Sequence, residues 1–102
     1  MKILGVIPAR FASTRFSGKP LIDLAGKSMI QRVYEQTQQA SSLADVIVAT
    51  DDNKIFQAVK QFGGNVIMTA DTHVSGTDRC AEVAQKVSGF DALINIQGDE
   101  PL

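Results

Sequence analysis

Cysteine is nearly absent from this chain. Cys80 is the single one in 102 residues, which excludes an internal disulfide and suits a reducing compartment. An excess of either charge is missing too. Lys and Arg number 10 against 11 Asp and Glu, a formal net charge of −1. A general nucleic-acid or membrane surface would need a basic excess. No apolar run is long enough to span a bilayer, and the amino terminus carries no signal-peptide pattern. Internal repeats, linkers and low-complexity tracts are lacking as well. The expectation is one domain over residues 1–102, cytoplasmic, with no nucleic-acid or membrane partner.

Two periodicities alternate along the chain. "KILGVI" (Lys2 to Ile7) reads as a buried strand. From Ser28, a candidate N-cap, Met29, Ile30, Val33 and Tyr34 recur at helical spacing. "DVIVAT" (Asp45 to Thr50) is a second strand. Asp51, Asp52 and Asn53 then open a helix with Ile55, Phe56, Val59 and Phe62 on one face, stopped by Gly63 and Gly64. "NVIMT" (Asn65 to Thr69) is a third strand. A helix from about Thr77 carries Cys80, Val83, Ala84 and Val87 on its apolar face and ends at Ser88 and Gly89. "ALINI" (Ala92 to Ile96) is the fourth strand. The order β-α-β-α-β-α-β predicts an α/β fold with a parallel sheet and right-handed crossovers. The continuous apolar runs agree, because such strands are covered on both faces.

In open α/β sheets, ligands bind beyond the carboxyl ends of the strands. Those ends are "PARFASTRFSGKP", "TDD", "TADTHVSGTDR" and "QGDEP", which hold most of the polar residues outside helices. The first gathers Arg10, Arg15 and Lys19 among small and turn-forming residues, with no acidic residue before Asp23. Such a loop can cradle a polyphosphate, through bidentate arginine, compact lysine charge and free backbone N–H groups. Solvated surface charge is the bland alternative, and the place directly after the first strand favours phosphate. "AGKS" (Ala25 to Ser28) imitates the end of a P-loop, but Leu21 stands where the pattern needs glycine, and the reading places no strand directly before it.

Asp99 and Glu100 stand at the end of the fourth strand, where carboxylates facing a cationic loop suit Mg²⁺. A phosphate cradle with a metal carboxylate points to phosphoryl or nucleotidyl transfer. Ser75, Gly76 and Thr77 either contact a ligand or cap the helix they precede. Arg79 is either a ligand cation or a salt-bridging residue of that helix's first turn. His73 has no partner at metal or triad spacing, Cys80 reads as core, and Asp51 and Asp52 read as helix caps.

Together "IPARFASTRFSGKPL", "VATDD", "HVSGTDR" and "NIQGDEPL" resemble the 3-deoxy-manno-octulosonate (Kdo) cytidylyltransferases, or CMP-Kdo synthetases, in that family's order and over essentially the whole chain. The resemblance implies a Rossmann-like nucleotidyltransferase fold that condenses CTP with Kdo, giving CMP-Kdo and pyrophosphate for lipopolysaccharide synthesis. Arg10, Arg15 and Lys19 would hold the triphosphate and stabilise the leaving pyrophosphate. Ala9 and Ser13 would line the nucleotide loop. Ser75, Gly76, Thr77 and Arg79 would contact cytidine or the sugar, Gln97 would face the sugar, and Asp99 would bind Mg²⁺. Arg10, Lys19 and Asp99 would be the catalytic set.

One departure is local: the family reads "RLPGKPL", and here Phe16 and Ser17 replace leucine and proline, which frees the loop. Another is length. Members of the family are much longer, so the chain resembles their amino-terminal nucleotide-binding portion, truncated after the fourth strand. Their second metal-binding aspartate, part of the sugar site and the elements of a homodimer lie further on. Alone, the chain is expected to be weak or inactive. The competing readings are a CMP-sialate synthetase, a non-catalytic CTP-binding module, and a plain structural fragment.

Overall fold

The computed structural model describes residues 1–10, 21, 23–24, 26–70 and 76–96. Strand β1 (Ile3–Ala9) runs through the middle of the sheet, longer than its apolar run suggests because Pro8 and Ala9 continue it. A short hairpin follows, β2 (Asp23–Leu24) against β3 (Lys27–Ser28), with Gly26 in the left-handed region at φ 93°. Strands of two residues are too short to show any periodicity, so the sequence reading does not contain them. The "AGKS" stretch thus contributes a hairpin strand and a helix cap.

Helix α1 (Met29–Gln38) starts where expected: the Ser28 Oγ accepts the Gln31 N–H at 3.2 Å. Strand β4 (Asp45–Thr50) leads to α2 (Asn53–Gln61), whose N-cap is Asp52, accepting the Ile55 N–H at 2.9 Å. The helix ends in a Schellman arrangement. Gly64 N–H bonds the Val59 carbonyl at 2.9 Å and Gly63 N–H bonds that of Lys60 at 3.1 Å, with Gly63 at φ 82°. Strand β5 (Val66–Met68), helix α3 (Gly76–Lys86) and strand β6 (Ala92–Asn95) complete the described chain. Because α3 begins at Gly76, Thr77 lies inside its first turn rather than at the N-cap position.

The four long strands form one parallel sheet in the order β5-β4-β1-β6. Alternation sorts its side chains into two cores. Ile7, Ala9, Val46 and Val48 pack with Met29, Ile30, Val33, Tyr34, Ile55 and Val59, which places α1 and α2 on one face. Leu4, Val6 and Ala49 pack with Val83 on the other, with Cys80, Val87 and Phe90 alongside. The direction of travel explains this. Two right-handed crossovers step from β1 outward through β4 to β5, and the third returns past β1 to β6 on the opposite face. Ala84, expected on the apolar face of α3, is exposed, and Ile94 of the edge strand β6 is 44% exposed.

Candidate nucleotide site

The strand order reverses between β1 and β6, and such a switch point opens a crevice at the carboxyl ends of its strands. Pro8 sharpens that opening. The carbonyls of Lys2 and Val6 accept from Asp91 and Ile96 N–H, whereas that of Ile3 accepts from Ala44 N–H. Even-numbered residues of β1 therefore face β6. Pro8 falls on that side and has no N–H to give the Ile96 carbonyl, and the described pairing stops at Val6 and Asn95. Ala9, buried at the end of β1, and Arg10, exposed just beyond it, stand at the mouth.

The neighbouring strand ends are bound by side chains. Thr50, fully buried, accepts the Asp52 N–H on its Oγ1 at 3.1 Å. Asp51 is not a cap: its Oδ2 lies 3.3 Å from Arg79 NH2. Arg79 NH1 also donates to Thr69 Oγ1 and, at 3.1 Å, to the Ala70 carbonyl. Of the two alternatives for Arg79, the structure shows the ion pair, with the residue 1% exposed. The sequence signal lies in its spacing, since Arg79 precedes the buried Val83 by four residues and so shares the sheet-facing side of α3. Its partners Asp51 and Thr69 are far away in sequence, and no local pattern pairs them.

Helix α3 also seals the sheet edge. Outward backbone groups of an edge strand need partners. Glu82 Oε1 accepts the Ala70 N–H at 2.9 Å, and Lys86 Nζ reaches the Met68 carbonyl at 3.4 Å while pairing with Glu82 at 2.6 Å.

The expected site residues divide as follows. Ala9 and Arg10 stand at the switch point, and Gly76, Thr77 and Arg79 form the start of α3. Ser13, Arg15, Lys19, Ser75, Gln97 and Asp99 lie outside the described residues, as do His73 and Glu100. For a divalent cation, Asp51 and Asp52 are poor donors. Asp51 faces a guanidinium and Asp52 caps α2.

This geometry has close counterparts. Residues 4–102 match the cytidylyltransferase family. The chain belongs to that family. It is 63% identical over 102 residues to the 3-deoxy-manno-octulosonate cytidylyltransferase of Parabacteroides distasonis, covering 99% of this chain and 40% of the relative. With that of Geobacter sulfurreducens it shares 58% identity, over 100% of this chain and 40% of the relative. Among solved structures it is similar to CMP:2-keto-3-deoxy-manno-octonic acid synthetase complexed with CTP, at TM-score 0.94 and 55% identity over 99% of this chain and 42% of that one. The chain thus spans about 40% of the length of the curated cytidylyltransferases it matches.

Proposed function

We propose that this cytidylyltransferase chain is the nucleotide-binding portion of an enzyme that transfers CMP from CTP to the anomeric hydroxyl of 3-deoxy-D-manno-octulosonate. The products are CMP-Kdo, for lipopolysaccharide assembly, and pyrophosphate. The observation that carries the proposal is the likeness to the CTP-bound synthetase, supported by the position of Arg10 at the mouth of the switch point. In this reading Arg10, Arg15 and Lys19 hold the triphosphate, and Ala9 and Ser13 line the nucleotide. Gln97 faces the sugar, and Ser75, Gly76 and Thr77 contact cytidine or the sugar. Asp99 would hold Mg²⁺, which when bound would neutralise phosphate charge. The protein's own work is positioning and electrostatics: its cations hold the triphosphate in line and take up the charge that develops on the departing pyrophosphate. The longer enzyme is a cytoplasmic homodimer, and residues beyond this chain are needed for full turnover.

The test is calorimetric titration of CTP with Mg²⁺ into the chain and into Arg10→Ala. Loss of a charge-assisted contact costs about 1.5–3 kcal/mol, so affinity should fall at least about tenfold. The melting curve should stay put, because Arg10 is exposed. Equal affinity of the two chains for CTP would overturn the placement of the triphosphate. Pyrophosphate release with Kdo, but not with sialic acid, from a chain of the relatives' length would establish the acceptor.

A further inference from the structure

Arg79 joins three pieces of chain at the carboxyl edge of the sheet. Its guanidinium donates to Asp51 beyond β4, to Thr69 and Ala70 beyond β5, and it belongs to the first turn of α3. Glu82, three residues on, accepts from the Ala70 N–H, so Ala70 is held by α3 at both its backbone groups. A lysine could not do the same. The planar fork sends separate donors to two segments at once, whereas an ammonium is a point charge on a flexible stem. Burial raises the stakes, since a guanidinium 1% exposed needs its carboxylate partner.

We infer that Arg79 is a positioning residue: through Asp51 and Thr69 it seats the first turn of α3, and with it Gly76 and Thr77, at the edge where the nucleotide is proposed to lie. The inference rests on the CTP reading for the identity of the ligand, while the seating itself is read without one. Its charge serves the protein, and its helix serves the ligand.

Two variants test this while leaving Arg79 in place. Asp51→Asn keeps an acceptor but removes the charge, and Thr69→Val removes the hydroxyl at similar volume. Amide hydrogen exchange is followed by NMR in the unliganded chain. The reporters are Cys80 and Ala81, whose N–H groups close the first turn of an α-helix begun at Gly76, and Val6 and Val48 as core controls. Exchange at Cys80 and Ala81 should rise about tenfold in each variant, as expected for local opening, with Val6 and Val48 unchanged. CTP affinity should also fall about tenfold, through displacement of the seated first turn itself rather than through its rare opening. Unchanged exchange at Cys80 and Ala81 would overturn the seating, as would an equal rise at all four amides, which marks a purely global role. Loosened exchange with undiminished CTP affinity would overturn its service to the ligand. If the parent chain ignores CTP while the exchange pattern appears, the CTP reading fails and the seating stands.

Discussion

The Tyr34 hydroxyl oxygen accepts the backbone N–H of Asn65 at 3.0 Å, tying the middle of α1 to the residue that leads into β5. The same hydroxyl lies 3.4 Å from the Val46 carbonyl, which Asn65 Nδ2 also reaches at 3.1 Å. Beside it the Tyr34 ring packs on Phe62, with centroids 5.4 Å apart. One side chain therefore gathers α1, β4, the end of α2 and the approach to β5 on a single face of the sheet.

Tyr34→Phe keeps the ring packing and removes the acceptor. Asn65 N–H is then left without it in a partly buried place, at a cost of about 1–2 kcal/mol. The Val46 carbonyl keeps Asn65 Nδ2, so no second group is orphaned. For a domain of about 100 residues the melting temperature should drop by roughly 4–8 °C per kcal/mol. Thermal melts followed by circular dichroism measure the change, and curves that superimpose on the parent's would refute the account.

The sequence reading reached the sheet because its evidence is local. β-branched runs mark β4 and β5, and Ser28 and the Gly63-Gly64 pair bracket their helices at the positions observed. It also singled out the carboxyl edge of the sheet, since in this topology the polar loops leave the carboxyl ends of the strands. What it missed is tertiary or very short. Asp51 read as a cap because it precedes a helix, but Asp52 takes that place and frees Asp51 for an arginine 28 positions away. Ala84 fits the apolar spacing of α3 and is nevertheless exposed, because the sheet-facing side is shared by Arg79 and Val83. Thr50 at the end of β4 and Thr69 just past β5 gave no signal alone, since their bonds reach a turn amide and a side chain of another element.

The two glycines after α2 look alike in sequence but are required for different reasons. Gly63 has open space where a methyl group would stand but sits at φ 82°, where an alanine costs about 1–2 kcal/mol. Gly64 has ordinary backbone, yet a Cβ there would meet Phe62 Cε1 at 2.7 Å and Val59 Cγ1 at 2.9 Å, an overpacking worth about 1–3 kcal/mol. Asparagine separates the two, because it tolerates the left-handed region while being larger than alanine. Gly63→Asn should be more stable than Gly63→Ala, and Gly64→Asn less stable than Gly64→Ala. Thermal melts of the four variants give the order, and the same ranking at both sites would contradict it.

Cys80 offers a chemical probe of the packing beneath α3. Burial pushes its thiol above the ordinary value of 9.0, and the neighbouring Arg79 cation opposes that only in part. A raised value means that folding favours the protonated thiol. Its contribution to stability is therefore complete below the unfolded value and is lost as pH rises through 9.0 and beyond. Reactivity follows the thiolate, so iodoacetamide should modify native Cys80 more slowly at neutral pH than the same residue in urea. The native rate should reach its midpoint above pH 9.0, and the unfolded rate near it. A native midpoint at or below 9.0 would mean that the guanidinium governs the thiol more strongly than burial does, and the reading of Cys80 as an inert part of the core would fall.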